Sequence, residues 1–345
     1  MSQQSAEQVL EVVLPGAVEP DGLVLRRRDR PVPAHGQALV RVEASGVSFA
    51  EQQMRRAKYY DQPAFPFVPG YDLVGTVAEV GPGVDAALVG GRFAALTKVG
   101  GWASHALVDA ADLVPVPDGV DPAEAETFVV NGLTAWRMLH GSAKVAAGQT
   151  VLVHGVNGGV GSTLAQLARL AGARVIGTAS PRHHDAVREL GVIPIDYRDA
   201  DLPAKVRALA PNGVDAVFDH VGGPGIVDSY RLLAPRGTLV AYGSASSRDR
   251  RGSARVAVLK LFVRLLWWNA LPNGRGASFF DIWAGKRDAA KFRARVARDL
   301  GSVFALLADG SLRAQIAARV PLERVSDAVR LAESGTITGK VVLVP

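Results

Sequence analysis

Residues 151–161 read VLVHGVNGGVG. An apolar, β-branched run enters a glycine cluster, and an amphipathic segment follows at once. That order sets bare backbone N–H groups at a helix N-terminus, where a pyrophosphate can sit. Gly155, Gly158 and Gly161 fall three apart with Gly159 between, not in the usual G-x-G-x-x-G spacing. A Cβ at such a turn would hold the phosphates off. Asn157 and Val160 complete the candidate loop, whose expected ligand is a dinucleotide.

The next strand, expected over 174–178, runs into Ala179-Ser180-Pro181-Arg182-His183-His184. NAD-specific sites place a carboxylate here, on the ribose 2′-hydroxyl. This chain has none before Asp185. A hydroxyl and a guanidinium suit a 2′-phosphate, because arginine forks two charge-assisted bonds onto phosphate. Two such bonds, at about 1.5–3 kcal/mol each, favour the phosphorylated cofactor by about 10²–10⁴-fold.

Composition excludes several chemistries. The 345 residues contain no cysteine, which removes disulfides, a thiolate nucleophile and Cys-ligated zinc. The seven histidines are scattered and none belongs to a Ser/His/Asp set in a nucleophilic context. The net charge of +6 suits an anionic cofactor. The densest basic run, 248–255, lacks interleaved aromatics, which argues against nucleic-acid binding. The N-terminus lacks the basic and apolar regions of a secretory signal, and no uninterrupted apolar stretch would span a membrane. The expectation is a cytoplasmic protein.

The elements that must carry these residues follow from periodicity. Up to about residue 121 short apolar runs alternate with Gly and Pro. Strands are expected over 9–14, 37–44, 75–80, 91–96 and 104–108, with one helix near 48–56. A helix over 123–139 changes the period. Strands over 150–155, 174–178, 193–195, 216–220 and 238–242 then alternate with helices over 160–171, 183–190, 201–209 and 226–233. Val160, Leu164, Leu167 and Ala171 share one helix face, as packing on a sheet requires. Repeated βαβ units predict a doubly wound parallel sheet, with 276–282 as a sixth strand. The tail holds a helix with the stripe Val296, Leu300, Val303 and Leu307, a short helix over 325–332, and a last strand over 340–344.

Several motifs in one order resemble the zinc-independent medium-chain dehydrogenase/reductases, in the quinone oxidoreductase branch that includes the vesicle amine transport protein 1-like enzymes. They are VEASGVSFAEQQMRRAKYY (42–60), PFVPGYDLVGTVAEVGPGV (66–84), NGLTAWRMLH (131–140), the run 151–180, VFDHVGG (217–223), GTLVAYGS (237–244) and TGKVVLVP (338–345). Zinc-dependent relatives carry Gly-His-Glu where this chain has Gly70-Tyr71-Asp72. The resemblance therefore implies no metal. It implies an α/β fold with a GroES-like β-rich catalytic domain, 1–124 together with 286–345, and a Rossmann domain, 125–285. It also implies a homodimer in which the dinucleotide domains pair.

By the same resemblance the cofactor is NADPH. Arg182 or His183, with Tyr197 and the adjoining Arg198, would meet the 2′-phosphate. Asn131 and Thr134 would lie near the nicotinamide and its phosphate, and Val221 near the ring. Tyr242, Gly243 and Ser244 end the fifth strand, where open sheets meet their cofactors. Ser48, Gln53 and Tyr59 are the candidate substrate-site residues. Ser48 stands where the family often has asparagine, and Gln53 where bacterial quinone reductases carry a tyrosine.

Without a metal, an acceptor that spreads incoming charge is the easier one to reduce. The implied reaction is NADPH-dependent hydride transfer to a quinone or α,β-unsaturated carbonyl. Alternatives are an enoyl or ketone reductase tailoring a polyketide, and an NADPH-binding protein with a membrane or RNA partner. Residues 256–271 read as an apolar helix with Lys260 and Arg264 one turn apart. Dimer or pocket packing is the favoured role for it over membrane contact or plain internal core, and Phe262, Trp267 and Trp268 would accommodate an aromatic substrate.

Overall fold

A computed structural model describes residues 8–243 and 254–345, with the backbone alone over 254–258. The chain divides into two compact units, Met1–Val130 with Arg287–Pro345, and Asn131–Lys286.

The first unit is built on sheet. β1 (Gln8–Val13) pairs antiparallel with β2 (Val24–Asp29). β3 (Gln37–Val47) buries Ala38, Val40 and Val42 by strand alternation, and α1 (Phe49–Arg55) follows it directly. β4 (Asp72–Val80), β5 (Arg92–Leu96), β6 (His105–Asp109) and β7 (Val114–Pro115) complete the N-terminal part. Leu73, Val77, Phe93, Ala106 and Val108 close the core over β3. α2 (Pro122–Trp136) starts where the Asp121 carboxylate accepts the N–H groups of Ala123 and Glu124. A π-helical turn, Arg137–Ala143, continues it into the second unit.

The second unit alternates strand and helix. β8 (Thr150–His154), α3 (Gly159–Leu170), β9 (Arg174–Ala179), α4 (His184–Glu189), β10 (Ile193–Asp196) and α5 (Leu202–Leu209) form its first half. β11 (Val214–Asp219), α6 (Ile226–Arg231), β12 (Leu233–Ala241), α7 (Ala254–Ala270) and β13 (Gly276–Phe279) form the second. The six strands are parallel in the order β10-β9-β8-β11-β12-β13. That is the dinucleotide-binding order, whose switch point lies between the first and fourth strands, here β8 and β11. Leu152, Ile176, Val217 and Leu239 are fully buried in their middles.

The chain then returns to the first unit with α8 (Ala289–Ala308), β14 (Ile316–Pro321), α9 (Val325–Glu333) and β15 (Lys340–Val344). The sheet order is β14-β15-β3-β4-β5-β7, with β6 also on β3. β15 pairs antiparallel with the end of β3, Val342 opposite Gly46.

Three strands were not expected. β2 reads VLRRRD, and its arginines hide the apolar pattern. β7 is two residues long, and β14 reads IAARVP. α7 corrects the reading of its tryptophans. Trp268 is only 4% exposed and stacks on Tyr230 with ring centroids 4.2 Å apart, so it is core and not substrate wall. Trp267 is 61% exposed, beside exposed Leu259, Phe262, Val263 and Leu266. Lys260 is exposed, while Arg264 lies over the Trp268 ring at 5.9 Å. Among the described residues, no helix is long and apolar enough to cross a membrane.

The two adjacent tryptophans should behave oppositely. Trp268→Ala is expected to cost about 3–5 kcal/mol of unfolding free energy, and Trp267→Ala about 0.5 kcal/mol or less. Urea unfolding followed by circular dichroism reads both.

Candidate functional site

In the first unit the site grows from the junction of β3 and α1. Ser48 is extended at the helix N-cap and closes a capping box with Glu51: the Ser48 N–H donates to Glu51 Oε2 at 3.0 Å. The Ser48 hydroxyl is also hydrogen-bonded to Oε2. Glu51 Oε1 accepts the Tyr71 N–H at 2.7 Å. Tyr71 in turn meets the candidate Tyr59, hydroxyl to hydroxyl, at 2.7 Å. Burial, then the neighbouring Tyr71, pushes the Tyr59 phenol above its usual range, so it stays a neutral donor. Gln53 is buried, and its Nε2 has no partner among the described residues.

α1 is held rigidly. Arg55 Nη2 lies 2.9 Å from both carboxylate oxygens of Glu333 in α9, and Nη1 donates to the Val18 carbonyl, so the guanidinium ties α1 to two other segments.

Behind Tyr71 lies a buried charge cluster. Lys340 Nζ is 2.8 Å from Asp72 Oδ2 and 2.6 Å from Glu126 Oε1. Asp72 Oδ2 also accepts the Val130 N–H at 3.0 Å. Burial and the Asp72 charge drive Glu126 well above the usual glutamate range, against the pull of Lys340. Burial pulls Lys340 down, and the two carboxyls more than offset it. Lys340, Asp72 and Glu126 thus form one buried group in which Glu126 is raised toward its protonated form. Gly46 is required here: a Cβ would sit 2.0 Å from Lys340 Cε. Glu51 is raised by burial first and by Asp72 second, despite its Ser48 and Tyr71 donors.

In the second unit the glycine run forms the turn from β8 into α3. Gly155 has φ +62°, and a Cβ there would lie 2.3 Å from His220 Cε1. A Cβ at Gly161 would lie 2.4 Å from the Gly155 carbonyl. At Gly159 it would meet the Asn131 amide at 2.3 Å, so the candidate Asn131 lies against the loop. Thr134 is buried one turn further along α2. Gly158 caps α3, whose first-turn N–H groups have no partner within the helix. Asn157 and Val160 lie between these glycines, half-buried.

The end of β9 carries the phosphate candidates. Ser180 is buried, and its Oγ has no hydrogen-bond partner among the described residues. A buried hydroxyl left unpaired by the protein can take a partner from outside it, a water or a ligand. His183 is buried and Arg182 exposed, which leaves Arg182 as the reachable cation. Tyr197 is 52% exposed, and Arg198 lies over its ring at 5.0 Å with Nε 3.0 Å from its hydroxyl.

Sequence reading passed over one network. His154 Nδ1 is 3.2 Å from Thr178 Oγ1, and its Nε2 is 3.1 Å from Ser229 Oγ. Ser229 donates to Asp219 Oδ2 at 2.7 Å. Asp219 Oδ1 accepts the N–H groups of Val221 and Gly222 at 2.8 and 2.9 Å. Burial pushes His154 below its usual range and keeps it neutral. Burial opposes the Asp219 charge, and the Gly222 and Ser229 donors work against burial to hold the carboxyl below its usual range. The network therefore sets the loop that carries Val221. Tyr242 lies against His220 at 5.9 Å, its phenol pushed up by burial, and the Gly243 Cα approaches the His220 carbonyl. Ser244 lies outside the described residues. Among those residues no cluster of His, Asp and Glu has the makings of a metal site.

Comparison with known proteins agrees with this architecture. Residues 34–118 match the alcohol dehydrogenase GroES-like domain, and residues 190–343 match the zinc-binding dehydrogenase domain. The chain is 32% identical over 325 residues to the human synaptic vesicle membrane protein VAT-1 homolog, covering 91% of this chain and 80% of that one. A mycobacterial protein solved in complex with NADPH superposes with a TM-score of 0.83 at 29% identity, covering 98% of this chain and all of that one, 100%. A quinone oxidoreductase from Pseudomonas syringae pv. Tomato DC3000 gives a TM-score of 0.83 at 25% identity, covering 98% and 100%.

The charge cluster makes two predictions. Lys340→Met strands the Asp72 carboxylate and is expected to cost about 3–5 kcal/mol, read from urea unfolding. Native Glu126 keeps its proton where the unfolded chain has lost it, so stability falls as pH rises above the ordinary glutamate range. Glu126→Gln should flatten that decline in thermal unfolding measured from mildly acidic to mildly alkaline pH.

Proposed function

The chain belongs to the zinc-independent quinone oxidoreductase branch of the medium-chain dehydrogenase/reductases, and on that premise we propose that it reduces a quinone or an α,β-unsaturated carbonyl with NADPH. The observation that carries the cofactor choice is Ser180: a buried hydroxyl without a partner, on a turn with no carboxylate before Asp185. A ribose 2′-hydroxyl would find no acidic acceptor there, whereas a 2′-phosphate would accept from Ser180 and attract Arg182. Tyr197 with Arg198 supplies a planar, cationic shelf on the next strand's end.

Bound reduced nicotinamide supplies the hydride. The rest of the chemistry falls to this chain's own side chains. α3 presents its first-turn N–H groups to the pyrophosphate. The Asp219 network holds the Val221 loop in one conformation. In the first unit Ser48 and the Tyr59–Tyr71 pair offer neutral hydroxyl donors to an oxygen that gains charge. An enone or a quinone, which delocalises the charge, is the acceptor such donors can serve.

We extend the proposal to a homodimer. β13 is an edge of its sheet among the described strands, and the apolar outer face of α7 adjoins it. An open edge beside exposed apolar side chains favours pairing with a like surface.

Steady-state oxidation of NADPH and NADH against a panel of quinones and enones tests the reading. NADPH should be preferred by about 10²-fold or more. Ser180→Ala should raise the KM for NADPH about tenfold and leave that for NADH unchanged. Equal use of the two cofactors, or no turnover with any acceptor, would refute it.

A further inference from the structure

We propose that Glu51 holds a proton and passes it through the Ser48 hydroxyl to the oxygen of the reduced acceptor. Ser48 is then the catalytic donor, and Glu51 is the positioning residue that recharges it. The inference rests on the reductase reading above.

The geometry is a one-way chain. Glu51 is 2% exposed, while Ser48, bonded to its Oε2, is half-buried. Glu51 Oε1 is taken by the Tyr71 N–H at 2.7 Å, and Oε2 also accepts the Ser48 N–H at 3.0 Å. Among the described residues no lysine or arginine pairs with Glu51. The groups facing it are the Ser48 hydroxyl, the Asp72 carboxylate from β4, and Tyr71 with its partner Tyr59; Lys340 and Glu126 stand behind Asp72. Burial first and Asp72 second raise Glu51 toward its protonated form, against the donors it accepts from Ser48 and Tyr71.

That proton decides where the serine points. A serine hydroxyl has one proton to donate. If Glu51 is ionised, Ser48 donates to Glu51 and has nothing for a substrate. If Glu51 is protonated, its O–H donates to Ser48 Oγ, and the Ser48 O–H is turned outward.

The step balances. A hydride from reduced nicotinamide forms a C–H bond at the β-carbon of an enone. The alkene pair shifts, and the carbonyl pair moves onto oxygen. The Ser48 O–H bond breaks as the enol O–H forms, and the Glu51 O–H bond breaks as the Ser48 O–H reforms. The Glu51 carboxylate then regains a proton from water through Ser48 after the enol leaves.

Two measurements on the full chain test this. Infrared titration of the cofactor-free protein should show a protonated carboxyl at neutral pH that Glu51→Gln removes; no such difference would overturn the proposal without reference to turnover. With an enone and NADPH, kcat should fall as pH rises through the Glu51 titration. Glu51→Gln should lower kcat at least tenfold, abolish that limb and leave the KM for NADPH unchanged. Ser48→Ala should do the same, and Ser48→Thr should restore the wild-type profile. This serine pair decides the point even if Glu51→Gln fails to fold. Wild-type turnover with an unaltered profile in Glu51→Gln and Ser48→Ala would overturn this inference alone. A wild type that reduces no acceptor would overturn the reductase reading, and this inference with it.

Discussion

A lysine ammonium buried between two carboxyl groups governs the first unit. Lys340 opens the last strand, Asp72 opens β4 and Glu126 lies in α2. Water is excluded, so the group is tolerable only if its charges cancel and its donors are used. That requirement pins the C-terminal strand to the N-terminal sheet. It also explains Gly46, whose missing side chain leaves room for the lysine. One ammonium cannot neutralise Asp72, Glu126 and Glu51 together. Burial raises Glu126 and Glu51 toward their protonated forms, while Asp72 keeps two donors on one oxygen.

The second unit answers a different constraint, close packing of backbone and side chains around the turn from β8 into α3. Gly155, Gly159 and Gly161 each face an atom that a side chain would displace. The loops after β8 and β11 touch through His220 and Gly155, at the sheet's switch point. Under them, a neutral His154 and an ionised Asp219 order the backbone by hydrogen bonds. Polar groups are affordable there because each finds a defined partner. Ser180 departs from that pattern: its buried hydroxyl has no partner among the described residues.

Much of the fold was legible because its signals are local. Strand alternation, helix periodicity and turn glycines depend on neighbours a few residues apart, and the βαβ order follows from them. What escaped notice depended on distant partners. β2 and β14 are polar enough to look like loop, and only pairing makes them strands. Trp267 and Trp268 are adjacent and chemically identical, yet one is exposed and the other stacks on Tyr230. Among the substrate-site candidates, Ser48 and Tyr59 were named from sequence, but their partners Glu51 and Tyr71 were not. Tyr71 was read only as the loss of a metal-binding histidine.

The amino-acid order alone determined the dinucleotide loop, the missing acid after β9, the lack of any thiol ligand and the succession of a β-rich and a βαβ region. Those are matters of residue type and spacing along the chain. Tertiary structure alone decided which ionisable groups lose water and which buried side-chain atoms, such as the Ser180 hydroxyl, stay unpaired among the described residues. A glutamate carries no mark of its proton affinity in the sequence, because that affinity is set by the solvent it loses and the charges it meets on folding.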